Sequence, residues 1–377
     1  MKKKKLLALI GSVCLIVVLA ALPFMAACAA PTPPPVTPPP TTPPVTPPPK
    51  VEWPETVSAI CPAPAGVMYA TLVGMGPVIE KYTPIKHWVV ETLGGPTIWA
   101  PLMKESKADF ANHNQADILM NAFLGRGAFA EPDMGPMPVR SVCGGHTYAF
   151  AWHTIPGTGI KSIADLKGKL VYGRMKGNPM FYDMAEAQLA SVGLSVDDLK
   201  GILTLASIDE GARDLIEGRV DAILYPITPS AVMQINEAKG ECIFLNLTKE
   251  QADFVAERMP GYYPSVIEAG DPRFANKSEI RYAICYRCGL HVRADMPDEV
   301  VYGVTKAILE HIDEWKDCHP QAKYYGPQYH PAHTAAEPYH PGAIKYFKEV
   351  GLWSDELQAH QEKYLKLQEE LLKKWGR

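Results

Sequence analysis

The residues best placed for chemistry in this chain are glycines, amides and two cations, all flanking expected strand–helix junctions. Gly66 follows the apolar run Thr56–Cys61 and precedes a helical pattern. Backbone can approach a ligand closely there, and a helix start aims its N–H groups at the same point. Gly177-Asn178-Pro179 repeats the arrangement further along, with Arg174 and Lys176 beside it. Two such starts facing each other, with a guanidinium fork and an ammonium, would make a carboxylate trap. Asn112, Asn114 and Gln115 add donors and acceptors that suit an amino or keto acid. The plainer alternative is that the glycines serve turns and Arg174 is a solvated surface charge. Spacing leaves both open.

Other chemistries fit less well. The chain has no Gly-x-Ser-x-Gly, no Walker loop and no His-Glu-x-x-His, and Asp197-Asp198 sits at an expected helix start. The reading is therefore a binding protein, not an enzyme, with no cofactor. Cys285-Tyr286-Arg287-Cys288 has the spacing of a thiol oxidoreductase but falls in a strand-like run. Residues three apart on a strand lie roughly 10 Å apart on opposite faces, whereas a disulfide needs Cα atoms within about 7 Å. His330 and His333 could share a zinc ion, which makes a metal-binding lipoprotein the alternative binding class. Packing of the late histidines with Tyr324, Tyr325, Tyr329 and Tyr339 is the preferred reading, so no metal residues are assigned.

These groups sit in a chain of 377 residues, 47% hydrophobic and 21% charged, which excludes wholesale disorder, collagen and a polytopic membrane protein. The formal charge is −4 even with Lys2, Lys3, Lys4 and Lys5 included, so the remainder is more acidic still and nucleic-acid binding is excluded. Those lysines precede the uncharged run Leu6–Ala27. Met25-Ala26-Ala27-Cys28 resembles a bacterial lipobox, in which the chain is cut before a diacylated cysteine. Residues 1–27 then form a lipoprotein signal peptide and Cys28 carries the lipid, with a retained transmembrane anchor as the alternative. Ala29–Lys50 holds 12 of the 36 prolines, so residues 28–50 form a polyproline II tether. At about 3.1 Å per residue it reaches roughly 60 Å. Either anchor places the rest outside the cytoplasm, in the periplasm or on the outer face of the cell membrane.

From Val51 onward, strand-like and helix-like runs alternate. Strands are expected at Thr56–Cys61, Trp88–Thr92, Asp109–Ala111, Arg140–His153, Leu170–Tyr172, Val220–Tyr225 and Ile280–Val292. Helices are expected at Met68–Glu80, Ile98–Ser106, Asp117–Leu124, Phe181–Val192, Ile208–Glu217 and Pro297–Trp315. Such alternation predicts an α/β fold with a mainly parallel sheet and a site beyond the carboxyl ends of its strands. Ser354–Arg377 is a last helix with the stripe Leu357, Tyr364, Leu367, Leu371 and Trp375. It reads as a strut, with a dimer contact or a docking surface as alternatives, so monomer and dimer both stay open.

Five motifs then resemble a known family. Gly159–Lys169 (GIKSIADLKGK) is similar to the start of the second lobe of type II periplasmic solute-binding proteins. With Gly193–Leu199 (GLSVDDL), Glu217–Ala222 (EGRVDA), Arg293–Tyr302 (RADMPDEVVY) and His340–Gly351 (HPGAIKYFKEVG), the chain resembles the TAXI family of TRAP-transporter solute receptors. The resemblance implies two α/β lobes with a ligand cleft between them: lobe 1 from 51–154 and 282–377, lobe 2 from 155–281. It implies capture of a small organic acid, glutamate-like or 2-oxoglutarate-like, and delivery to membrane permease subunits. Carried over by position, it makes Tyr69, Asn112, Asn114, Gly173, Asn178 and Tyr225 cleft residues, beside the bottom-up candidates Gly66, Gln115, Arg174 and Lys176. The chain departs from the family at Met175–Pro179 and Ala65–Tyr69, so the ligand is the least determined part of the reading.

Overall fold

A computed structural model describes residues 51–62, 66–93, 95–117, 122–131, 134–327 and 337–376. The signal peptide, Cys28, the tether, His330 and His333 lie outside the described residues. Among the described residues no helix is long and apolar enough to cross a membrane.

The first half opens with β1 (Thr56–Cys61), α1 (Val67–Tyr82), β2 (His87–Thr92), α2 (Pro96–Lys104) and β3 (Phe110–Asn114). β1 pairs in parallel with β2 and β3, so it is a central strand, which explains its apolar run. The long strand β4 (Val139–Thr154) then carries the chain into the second half. That half comprises β5 (Leu170–Met175), α3 (Met180–Ala190), β6 (Gly201–Leu205), α4 (Ile208–Ile216), β7 (Ala222–Pro226), α5 (Pro229–Lys239), β8 (Ile243–Leu245), α6 (Lys249–Arg258) and β9 (Tyr263–Ile267). A second long strand, β10 (Ile280–Arg293), returns to the first half, where α7 (Asp298–Glu310), α8 (Pro341–Glu349) and α9 (Asp355–Lys374) complete the chain.

The sheet order is β2-β1-β3-β10-β4-β7-β5-β6, with β8 beside β4 and β9 beside β10. Each end is parallel, as the alternation of elements predicts, but the middle is not. β10 runs antiparallel to β3, β4 and β9. The reason is topological: one strand leaves the first half and the other comes back.

Two cores flank this middle. One gathers Leu72, Met75, Ile79, Phe110, Val142, Leu290, Val304 and Phe347, with a smaller cluster around Trp99 and Met103 beneath α2. The other gathers Trp152, Val171, Phe181, Leu189, Leu224, Ile235 and Ile284. β4 and β10 contribute to both, which makes a two-lobed α/β fold with two crossing strands. A short strap, Ile312–Tyr325, follows α7, whereas the sequence pattern predicts helix as far as Trp315. It breaks into single turns so that Tyr325 can lie against Gly145 of β4.

α9 is a strut of an unexpected kind. Its buried residues are Leu357, Gln361 and Gln368, and most of the expected Leu/Tyr/Trp stripe is only partly covered. Gln361 accepts from Tyr339 N at 2.8 Å and donates to Tyr339 O at 2.9 Å. Gln368 donates to Met137 O at 2.9 Å. Amides win these positions because they satisfy backbone groups that an apolar side chain would strand.

The crossing strands approach closely at Gly289, where a Cβ would overlap the Cys143 carbonyl oxygen and press on Gln115. Gly289→Ala is expected to destabilise the protein by about 1–3 kcal/mol through overpacking, read as a lower urea midpoint. An unchanged midpoint would show that this close approach is not required.

Candidate functional site

The crossing strands carry a continuous row of rings. His146 meets Tyr148 edge-on with centroids 5.0 Å apart. Tyr148 lies opposite Tyr286 at 5.8 Å. Tyr286 reaches Phe150 at 5.5 Å, and Phe150 meets Phe181 of α3 at 5.3 Å. Tyr262 closes the side of the row, 5.6 Å from Tyr286. At the first-lobe end, Tyr325 lies 5.9 Å from His146. The row forms a floor running from under α1 to the start of α3, crossing from one core to the other.

Two helix starts border this floor, as the sequence predicts. α1 begins at Val67 after Gly66, whose φ of 94° is open to glycine and strained for other residues. Among the described residues no side chain caps that start and no acid sits in its first turn. α3 begins at Met180, where Asn178 Oδ1 accepts from Met180 N at 3.1 Å. The lips of the two lobes touch: a Cβ on Gly95 would overlap the carbonyl oxygen of Gly177, and Thr97 Oγ1 donates to that same oxygen at 3.4 Å.

The sequence candidates separate into three groups. Gly66, Tyr69 and Asn178 stand at the two helix starts. Arg174 and Lys176 are exposed on the lip. Arg174 stacks over Tyr182 at 4.4 Å. The third group lies inside strands, where loops were expected. Asn112 and Asn114 belong to β3, and Gly173 belongs to β5. Asn112 Nδ2 donates to Thr71 Oγ1 at 2.9 Å and Tyr325 Oη at 2.8 Å. Asn114 donates to Tyr262 Oη at 2.8 Å, and its Oδ1 accepts from Ala116 N and Asp117 N. Gln115 donates to Ser141 Oγ at 2.9 Å. These amides build the wall and orient Tyr325 and Tyr262. Gly173 is required by Ile202, whose Cδ1 would stand 2.7 Å from an added Cβ. Tyr225 is fully buried in the second core, stacked on His153 at 4.4 Å, away from the floor.

Sequence reasoning passed over His146, Tyr148, Phe150 and Tyr286. The signal was present as the i, i+2, i+4 spacing of rings in β4, but that spacing is also what a buried strand needs. The late histidines take structural roles. His311 stacks on Tyr82 at 3.5 Å, His319 Nδ1 accepts from Gln321 N, and His340 Nδ1 accepts from Gly342 N to cap α8. Among the described residues no group of three or more side chains could hold a metal ion. Among the described residues Cys143, Cys242, Cys285, Cys288 and Cys318 are free thiols. Burial pushes Cys285 up to about 12 and Cys288 well above its ordinary value, the reverse of what a redox thiol needs.

The model of the NMT1-like family matches residues 61–351, from the end of β1 to just beyond α8. The chain belongs to the NMT1-like family. This NMT1-like chain is also similar to solved structures at low identity. One is XAC2383 from Xanthomonas citri bound to ATP, at 10% identity, TM-score 0.47, covering 78% of this chain and 99% of that one. Another is the putative periplasmic sulfonate-binding protein SsuA from Methylobacillus flagellatus KT, at 19% identity, TM-score 0.45, with 84% and 96% covered. A third is the GluR0 ligand-binding core from Nostoc punctiforme in complex with L-glutamate, at 13% identity, TM-score 0.41, with 73% and 100% covered.

Carboxyl groups gather near the start of α3, while Arg287 acts on the His146 end of the row. Asp117, fully buried, pairs with His113 Nε2 at 3.0 Å. Asp183, in the first turn of α3, is raised from 3.8 to about 6 by burial, then by Glu186 and Asp117. A carboxyl raised in the folded state favours folding at low pH, and that contribution is lost as pH rises through about 6. Asp183→Asn is therefore expected to be more stable than the parent by about 1 kcal/mol at pH 8, after allowing for solvent screening. The two should converge near pH 4. Urea melts across pH 4–8 check this, and equal stability at pH 8 would refute it.

Proposed function

We propose that this chain is an extracytoplasmic solute-binding receptor of a transporter. It captures a small organic acid between its lobes and delivers it to the membrane subunits of a TRAP-type (TAXI) secondary transporter. A lipid on Cys28 and the tether 28–50 hold it to the membrane. The single observation that carries the reading is the ring floor shared by two lobes whose lips meet at Gly95 and Gly177. A floor spanning two cores, bordered by two helix starts and closed by a backbone contact, suits enclosure of a ligand. Closure removes water from the cleft and strengthens each hydrogen bond made inside it. Open and closed forms then present different surfaces to the membrane subunits.

The ligand class is tested by thermal stability of the chain across dicarboxylates, amino acids, keto acids, aromatic acids and divalent metals. A ligand at 100 times its dissociation constant adds about 2.7 kcal/mol, a shift of several degrees or less at this size. A shift confined to one acid class supports the receptor reading, whereas a shift with zinc alone would replace it.

The closure itself is tested by Gly95→Ala, which places a methyl group against the Gly177 carbonyl. Its scattering radius is expected to exceed that of the parent by about 1 Å, while Lys176→Ala, exposed on the same lip, leaves the radius unchanged. Equal radii for all three proteins would rule out closure through this contact.

A further inference from the structure

We infer that Asp183 is an acid-sensitive latch between the lobes: closing brings its carboxyl up to that of Asp117, so protonated Asp183 favours the closed form and ionised Asp183 the open one. The inference goes beyond the receptor reading and rests on the lobe closure that reading describes.

The lobes meet at two levels. At the lip, Gly95 and Thr97 lie against the carbonyl of Gly177. Deeper, Asn114 of β3 reaches across. Its Nδ2 donates to Tyr262 Oη at 2.8 Å, and its Oδ1 accepts from Asp117 N at 3.2 Å. One side chain therefore ties Asp117, in the first lobe, to Tyr262, which packs in the core of the second. Tyr262 lies 6.2 Å from Phe150, and Phe150 lies 5.3 Å from Phe181 in the first turn of α3. Asp183 stands in that same turn, half-buried. Burial first, then Asp117, with Asp183 among the weaker causes, hold the Tyr262 hydroxyl well above its ordinary range. Two carboxyls from different lobes thus flank one ring in the interface.

The groups facing Asp183 are Glu186 of its own helix, and Asp117 and Arg126 from the first lobe. Burial, then Glu186 and Asp117, raise its carboxyl to about 6 against the smaller, opposite pull of Arg126. The other elements packed on α3 commit their charges elsewhere. Arg174 of β5 stacks over Tyr182, while in α6 Lys249 pairs with Asp253 and Arg258 stacks over Phe254. Asp165 and Asp198, in the short turns beside α3, accept from Ser162 N and Ser195 N. Glu186 travels with Asp183 when the lobes part, but Asp117 does not. Opening returns Asp183 to water and removes Asp117, so its hold on the proton weakens. The form that holds the proton more tightly gains as pH falls. The closed-to-open ratio is therefore greatest at low pH, falls up to tenfold per pH unit between about 4 and about 6, and is level above that. By reciprocity, a ligand that requires closure is held more tightly in acid and released more readily as pH rises.

Scattering from the ligand-free full chain tests the latch, with the parent, Asp183→Asn and Gly95→Ala each measured at pH 4.5, 6 and 7.5. The parent radius is expected to grow by about 1 Å from pH 4.5 to pH 7.5. Asp183→Asn carries no charge at any of these values and is expected to keep the compact radius throughout. A parent radius that ignores pH, or an Asp183→Asn chain that widens as the parent does, would overturn the latch. Gly95→Ala separates that result from a failure of closure itself. If it is wider than the parent at pH 4.5 while the parent ignores pH, the lobes close but Asp183 does not govern them. If neither the variant nor a change of pH widens the chain, latch and closure fall together.

Discussion

The antiparallel pairing of β4 with β10 is the constraint on which the rest of the molecule depends. These strands pair from Val139–Arg293 at one end to Phe150–Ile284 at the other, with register shifts near Gly289 and Leu290. They feed side chains into both cores and are the connection through which either half can sense the other. The ring floor exists because the same strands also carry His146, Tyr148, Phe150 and Tyr286. Glycine at 145 and 289 lets Tyr325 on one strand, and the neighbouring backbone at the other, approach closely enough to seal that floor.

Around this ribbon, polar groups are buried for positional reasons. Asn112, Asn114 and Gln115 would each be expensive to bury unpaired, and each is tied to a specific partner. Their hydrogen bonds hold Tyr325, Tyr262 and Ser141 in place, so the wall of the cleft is rigid where it meets the floor. The lip is built differently. Exposed Arg174 and Lys176 and the glycines at 95 and 177 give it solvent-facing charge and close backbone contact. A rigid floor with an adaptable lip suits a protein that closes on its ligand.

Much of this was legible along the chain. Apolar runs such as Thr56–Cys61, and the helical spacing of Val301, Val304 and Ile308, located the elements to within a few residues. Gly66 and Asn178 marked the two helix starts because only a few residue types suit such junctions. The errors share a cause. Asn112 and Asn114 read as loop because amides are uncommon inside strands, yet β3 is central and its amides are satisfied from α1, the strap and Tyr262. Gln361 and Gln368 were left out of the buried face of α9 for the same reason. Tyr225 carried a polar handle and was placed in the cleft, but its strand position turns it into the second core.

By itself, the sequence determined the alternation of strands and helices, the helix starts and the expectation of a binding cleft rather than a catalytic one. These follow from local propensity and periodicity, which act between residues close along the chain. Only the tertiary structure decided that the central strands are antiparallel, that the floor is aromatic, that the expected cations lie at the rim, and that Asp183 is held up beside Asp117. The physical reason is that burial, hydrogen-bond pairing and charge–charge energy depend on which distant segments meet. Asn112 and Tyr325 are 213 residues apart, and nothing local to either fixes their contact.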